Sequence, residues 1–327
     1  MINRNRRSFI DYLIALIVIL TLNFALPRAL PGDPLTTIYG DAVVEMSPEL
    51  EENLTERYGF NRSIFEQYFI YLGNLARGDL GYSFQHNAPV IEILLDVLPW
   101  TLLLVGLSLI LSTLFGAIVG IETSWRSGSQ LDKLTLIFMM FLNGIPAFFI
   151  GYILLILLSF QFQLFPLSGA VSPYADLSGF SYVLDIIKHL FLPALTLFLV
   201  QLPRDYLLMR NSMLGIVKKP FVITAKSKGV KDRKVQYKHA ARGALLPVLT
   251  RFGMSIGLLF TGVLFVEIVF AYPGIGHLFY QALQNHDYPL VQGSLLVISI
   301  LVILANLMTD ILAEKVDPRL KEGEADG

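Results

Sequence analysis

The sequence predicts an all-α polytopic membrane protein with six transmembrane helices and an extracytoplasmic insert after the first of them. Apolar residues make up 54% of the 327 positions and charged residues only 16%. The mean hydropathy of +0.60 lies above the range of soluble proteins. Several runs approach the 20 or so apolar residues that a helix needs to cross a bilayer core of about 30 Å. The chain contains no cysteine, which excludes disulfides, thiolate metal ligands and a cysteine nucleophile.

Six apolar runs are the candidate spans, and the fourth and fifth reach the required length only when neighbouring residues extend them. The runs are Tyr12–Pro27, Leu102–Ile121, a stretch from Leu134 to Phe160, Leu190–Pro203, Phe252–Val266 and Tyr288–Thr309. A proline inside a helix removes a hydrogen bond and clashes with the preceding turn, so we expect a kink in the third run at Asn143 to Pro146. Asn143 and Pro146 there, and Gln201 in the fourth run, either line a gate or pathway or serve only packing.

The distribution of lysine and arginine predicts the orientation of the spans. Twelve of the 25 basic residues lie between Arg204 and Arg251, which places that segment in the cytoplasm. The segment 31–98 has three arginines against eleven acidic residues, so it belongs on the opposite side, and both termini are then cytoplasmic. The predicted regions are an N-terminus with the first helix at 1–30, a cap insert at 31–98, a membrane core at 99–311 with a cytoplasmic segment at 212–245, and a tail at 312–327.

The cap insert should contain two helices. Ser47 is a good N-cap, Pro48 suits the first helical position, and acidic residues follow in the first turn. Ile64 to Ala76 has the pattern of an amphipathic helix.

A basic, helix-prone segment from Met213 to Thr250 separates the fourth and fifth runs. It contains Val222-Ile223-Thr224-Ala225-Lys226-Ser227-Lys228-Gly229, and the helix formers of this stretch end at the glycine. Glycine readily adopts positive φ, so the segment should form a helix, a glycine corner and a second helix from Val230 to Ala241. Ile223, Ala225 and Val230 would offer apolar contacts to a partner, and the lysines would steer it. The alternative is a basic strip that lies on anionic lipid.

This segment resembles the ATPase-docking loop, or EAA loop, of permeases from binding-protein-dependent ABC importers, and it looks most like the dipeptide, oligopeptide and nickel branch. Shorter patches in matching order strengthen the resemblance. They are Leu30-Pro31-Gly32-Asp33-Pro34, Gly78-Asp79-Leu80-Gly81-Tyr82-Ser83, Glu267-Ile268-Val269-Phe270, Tyr272-Pro273-Gly274-Ile275-Gly276, Asp287-Tyr288-Pro289-Leu290-Val291-Gln292-Gly293 and Asp317-Pro318-Arg319. The general motif has glutamate where Ile223 stands, a small residue at Thr224 and a leucine-proline pair at Ala241 and Arg242. These departures are common in the peptide branch.

The resemblance implies a type I ABC importer permease, with 99–311 as the core permease domain, in the cytoplasmic membrane of a prokaryote. Its implied partners are a second homologous permease, two ABC ATPase subunits, an extracytoplasmic substrate-binding protein and membrane lipid, but no nucleic acid. The ATPase-coupling residues would be Ile223, Thr224, Ala225, Lys226, Lys228, Gly229 and Val230. Nothing in the chain matches G-x-x-x-x-G-K-[ST], so we expect it to bind no cofactor, the ATPase subunits to use ATP and Mg²⁺, and the chain itself to be non-catalytic.

The outer side of the fifth span supplies the remaining candidates. Glu267 either meets a substrate amine, anchors the following turn or contacts the binding protein. The loop of Tyr272, Pro273, Gly274 and Asp287 is the expected binding-protein contact. Two histidines in this loop lack a carboxylate pair at ligand spacing, so no metal site is predicted. Gly116 with Gly120 and Gly253 with Gly257 form small-xxx-small pairs suited to pairing with another permease subunit.

Three functions therefore remain: peptide import, import of nickel or a metal chelate by the same kind of complex, and transport by an ATP-independent secondary carrier. A proton-coupled carrier would place an ionisable residue deep in a span. Here Asp11, Glu122, Asp205, Glu267 and Asp310 all fall near predicted span ends, which disfavours that class. The sequence does not distinguish a homodimeric from a heterodimeric permease pair.

Overall fold

A computed structural model describes residues 2–28, 47–58, 61–83, 85–173 and 177–316. The patches at 30–34 and 317–319 lie outside them. The α-helices are α1 Ile2–Arg28, α2 Pro48–Tyr58, α3 Ile64–Ala76, α4 Val90–Trp125, α5 Gln130–Asn143, α6 Ala147–Leu154, α7 Phe180–Val217, α8 Pro220–Ser227, α9 Asp232–Lys234, α10 Ala241–Val269, α11 Ile275–Gln284 and α12 Tyr288–Val316. Two π-helical segments, Leu155–Gln161 and Val235–Ala240, follow α6 and α9. β1 Tyr82–Ser83 pairs antiparallel with β2 Ala88–Pro89.

Three of the described helices are long and apolar enough to cross a membrane: Val90–Trp125, Phe180–Val217 and Tyr288–Met308. A fourth span results if α5 and the helical stretch Ala147–Gln161 count as one, although their axes differ by 100°. Ile10–Ala25 is a shorter apolar helix. The structure therefore supports a mostly helical multi-pass protein, while the count of six spans stays a prediction.

The first of two compact units comprises residues 1–101 and 273–303. Reciprocal hydrogen bonds join α1 to α12: the Asn23 amide donates to the Gln292 carbonyl at 2.9 Å, and the Gln292 amide donates to the Asn23 carbonyl at 2.8 Å. The Tyr71 hydroxyl on α3 donates to the side-chain oxygen of Asn23 at 3.1 Å. An apolar cluster that includes Val90, Leu94 and Leu290 forms the unit's core.

The predicted insert helices both form. The helix α2 begins at Pro48, directly after Ser47, and α3 covers Ile64–Ala76 as predicted. A capping box explains the sharp start of α3: Ser63 accepts from the Glu66 amide, and the Glu66 carboxylate accepts from the Ser63 amide. The two-residue strands within this insert were not predicted.

The second unit comprises residues 102–272 and 304–327. In this unit α4 packs closely against α7. Gly116 and Gly120 on α4 face α7 so closely that a Cβ atom on Gly116 would lie 2.7 Å from the Asp205 Cβ and 2.9 Å from the Tyr206 backbone nitrogen. The prediction that this glycine pair serves contact with another subunit is therefore wrong, because α7 of the same chain occupies the face. The surroundings of Gly253 and Gly257 lie outside the described residues.

Polar contacts reinforce this packing. The Ser112 hydroxyl donates to the Asp205 carboxylate at 2.9 Å, and the Thr113 hydroxyl donates to it at 3.3 Å. Asp205 is thus buried between two helices, and α7 continues beyond it to Val217. Arg210 on α7 forms a forked ion pair with Asp132 on α5, with N···O distances of 2.7 and 2.9 Å.

Candidate functional site

The predicted helix and glycine corner are present in the segment 220–240, which we call the coupling segment. Its first helix, α8, begins at Pro220, where the missing N–H costs nothing, and Gly229 adopts φ +71° directly after it. The Gly229 amide donates to the Lys226 carbonyl at 2.9 Å and the Val230 amide to the Ala225 carbonyl at 3.3 Å. This is a Schellman cap, in which a left-handed residue satisfies the last carbonyls of the helix.

One face of the coupling segment is buried in the core of the second unit. Val222 and Val235 are fully buried with Met209 and Met213 of α7 and Ile121 of α4. The partly buried Trp125, Ala225 and Val230 also pack against this cluster. These two side chains thus hold the corner onto its own chain but stay partly exposed, and their contact with a partner remains a prediction.

Polar contacts fix the same face to the end of α4. The Tyr237 hydroxyl donates to the Glu122 carboxylate at 2.6 Å, and this hydrogen bond, with partial burial, raises the pKa of Tyr237. The Lys226 ammonium lies 4.3 Å from the centroid of the Trp125 ring, in cation–π range. Lys226 is thereby directed toward its own chain as well as toward solvent.

Two large apolar side chains at the start of the segment are exposed. Ile223 is 55% exposed and Phe221 is 49% exposed, and they flank the buried Val222. Thr224, Lys228 and Gly229 are exposed beside them, and the Thr224 hydroxyl donates to the Pro220 carbonyl at 2.9 Å. Phe221 was missed by the sequence reasoning, because residues two apart lie on different sides of a helix and Phe221 therefore forms no amphipathic pattern with Ile223. The exposed face suits docking into an apolar groove.

The second helix of the segment does not end at Ala241 as predicted. After α9 and the π-helical segment Val235–Ala240, the chain runs directly into α10, which extends to Val269. A π-helical turn is rare and occurs mainly where function requires a locally altered helix. At its other end the coupling segment follows α7 after two residues, Lys218 and Lys219. The segment is therefore joined directly to two long helices.

The predicted gate residues Asn143, Pro146 and Gln201 line one cavity of about 330 Å³. Its wall consists of the break between α5 and α6, α7 residues that include Arg204, and Gly262 of α10. The expected kink is thus a complete break that opens a polar recess between helices. Glu267, the fourth candidate, does not line the cavity and is fully buried near the end of α10. The Tyr272 amide donates to its backbone carbonyl at 2.8 Å, as expected of an anchored turn.

The expected binding-protein contacts belong to different units. Tyr272 is fully buried in the second unit, and burial raises the pKa of its hydroxyl. Pro273, Gly274 and Asp287 belong to the first unit, where α11 occupies most of the segment that was expected to be a loop. The Asp287 carboxylate accepts hydrogen bonds from the Ser83 hydroxyl and the Leu290 amide, and burial raises its pKa.

An exposed coupling face, two long helices that leave it and a polar cavity between those helices define a membrane transport component. Residues 112–322 match the family model of the binding-protein-dependent transport system inner membrane component, and residues 1–105 match the model of the N-terminal part of such components. The chain belongs to this family of inner membrane transport components, which confirms the resemblance seen in the sequence.

Three relatives illustrate the similarity across almost the whole chain. The di/tripeptide transport system permease protein DppB of Pseudomonas aeruginosa is 33% identical and covers 92% of this chain and 93% of its own length. The oligopeptide transport system permease protein AppB of Bacillus subtilis is 34% identical, with coverage of 94% and 95%. The dipeptide transport system permease protein DppB of Escherichia coli is 32% identical, with coverage of 92% and 93%.

Proposed function

We propose that this chain is the permease subunit of an ATP-driven ABC importer that moves di- or oligopeptides across the cytoplasmic membrane by alternating access. Its family membership and the printed substrates of its relatives support this assignment. The structural observation that carries it is the coupling segment, which has a buried attachment face and two exposed apolar side chains, Phe221 and Ile223.

The connections of the coupling segment suggest how ATP hydrolysis would reach the substrate pathway. A push on Phe221 and Ile223 is transmitted through the buried face, since Val222 and Val235 leave no room for the segment to move alone. The displaced elements are α7, which carries Gln201 and Arg204, and α10, which carries Gly262. Both helices line the cavity, so movement of the segment changes the cavity's width.

The complete transporter in this proposal contains a second, similar permease, two ATPase subunits that bind ATP and Mg²⁺, and an extracytoplasmic binding protein. This chain contributes six spans, with both termini and the coupling segment in the cytoplasm. The insert 31–98 and the residues Tyr272, Pro273, Gly274 and Asp287 lie on the side of the binding protein. The basic residues of the coupling segment support this orientation.

Co-purification and uptake test the proposal together. The tagged chain is isolated from its native membranes in lipid nanodiscs and analysed by mass spectrometry for ATPase and permease partners. The complex is then placed in liposomes and supplied with binding protein and a labelled dipeptide. We expect uptake that requires ATP hydrolysis. If the chain without partner subunits transported the dipeptide, driven by a proton gradient, it would instead be a secondary carrier.

A further inference from the structure

The cavity at the break between α5 and α6 carries a positive charge. Among the described residues that line it, Arg204 is the charged one and no Asp or Glu is present. The carboxylate next to Arg204 in the chain, Asp205, is directed to the hydroxyls of Ser112 and Thr113. Within the described residues, no acceptor lies in hydrogen-bonding or ion-pair distance of the Arg204 guanidinium. Arg204 is therefore available to a bound anion.

Two amide side chains in the same cavity also lack partners. Gln201 is only 3% exposed, yet its side chain makes no hydrogen bond to any described residue. Asn143 lines the same cavity at the end of α5, is exposed there, and makes no side-chain hydrogen bond to a described residue. Both amides can therefore donate to a polar ligand that enters the cavity.

The start of α6 adds a third favourable feature. This helix begins at Ala147, which lines the cavity, and its N-cap residue is Pro146, whose side chain cannot accept a hydrogen bond. The first amides of a helix carry partial positive charge and attract anions when no side chain caps them. The helix N-terminus alone would not define a site, but Gln201 and Arg204 point to the same ligand chemistry.

We propose that this cavity is a carboxylate subsite, in which Arg204 and Gln201 hold the C-terminal carboxylate of a peptide during its passage. The inference rests on the proposed function and deepens it, since it assigns the part of the substrate that the permease itself recognises. Arg204 supplies the charge and the planar pair of donors that suits a carboxylate. Gln201 adds a neutral donor, and Asn143 faces the remainder of the peptide.

The natural absence of cysteine allows a direct test. Asn143→Cys places one thiol in the cavity, and its reaction with an anionic sulfonate methanethiosulfonate is compared with its reaction with the cationic trimethylammonium reagent. Arg204→Gln is then introduced, and Arg126→Gln, which removes an exposed arginine outside the cavity, is the matched control. We expect Arg204→Gln to lower the anionic-to-cationic rate ratio by about tenfold, as expected for loss of one nearby charge, and Arg126→Gln to leave it unchanged. An equal ratio in all three proteins overturns the subsite.

Protection by substrate identifies the ligand. The full complex with Arg204 present is labelled during turnover with a dipeptide or with the same dipeptide amidated at its C-terminus. We expect the free carboxylate to slow labelling at least fivefold more than the amide does, and Arg204→Gln to abolish that difference. Equal protection by the two peptides, or labelling that responds only to anionic lipid in the nanodisc, contradicts the assignment. Uptake measured on the same complex separates failure of the subsite from failure of the proposed function.

Discussion

The close contact of α4 with α7 predicts a large effect of one methyl group. In Gly116→Ala the new Cβ would lie 2.7 Å from the Asp205 Cβ and 2.9 Å from the Tyr206 nitrogen. Carbon atoms pack at about 3.5–4.0 Å, so the helices must separate by about 1 Å. The 2.9 Å hydrogen bond from Ser112 to Asp205 would then be lost. Overpacking costs about 1–3 kcal/mol, and loss of a hydrogen bond to a charged group about 1.5–3 kcal/mol.

The expected destabilisation of Gly116→Ala is therefore about 2.5–6 kcal/mol. The matched control is Gly106→Ala on the same helix, where no described heavy atom lies within 4 Å of the new Cβ. Alanine is the better helix former, so the control should stabilise by about 0.5–1 kcal/mol. Thermal unfolding in detergent, followed by the fluorescence of the two tryptophans, should show Gly116→Ala at least about 6 °C below the control. Equal melting temperatures would refute the described packing.

Three further predictions concern other parts of the chain. Ile223→Asp should keep the melting temperature and lose ATP-driven uptake, whereas Val222→Asp should fail to fold stably. Size-exclusion chromatography and uptake assays check both variants. A stable Val222→Asp protein would contradict the described burial. Gly229→Val should reduce uptake, because a β-branched residue at φ +71° costs about 1–2 kcal/mol. Gly229→Asn should remain active, and similar uptake by both variants would contradict the role of the glycine corner. Burial raises the pKa of Asp287 in the folded state. Ionisation of this carboxyl therefore lowers the melting temperature as pH rises from about 3.9, the unfolded pKa, through the higher folded pKa. Asp287→Asn should flatten this fall in melting temperature, and an unchanged pH profile in the variant would contradict the prediction.

Local signals in the sequence predicted the elements that depend on neighbouring residues. The helix Ile64–Ala76 and the corner at Gly229 were both predicted, since an amphipathic pattern and a glycine with positive φ are both read from neighbouring positions. The interruption at Asn143 to Pro146 was also predicted, because proline acts on its own helix. The angle of 100° between the helix axes on either side of this break was not predicted, since it depends on how α5 and α6 each pack against other helices.

Contacts between distant residues were harder to predict. The glycine pair Gly116 and Gly120 predicts close helix packing. The pattern does not identify the partner helix, which is α7 of the same chain. The inward direction of Ala225 and Val230 likewise depends on a core built from α4 and α7. In the sequence, nothing distinguishes Arg204 from the many other basic residues. The fold brings it into the cavity with Asn143.

The central claim is that ATP hydrolysis by partner subunits drives transport through the exposed face of the coupling segment. The most direct measurement is the number of dipeptides taken up per ATP hydrolysed in liposomes, for the wild-type complex and for Ile223→Asp. The account predicts uptake with ATP and none with a non-hydrolysable analogue, and in Ile223→Asp a ratio reduced at least tenfold although the chain remains folded. An unchanged ratio in Ile223→Asp, or wild-type uptake without ATP hydrolysis, would contradict it.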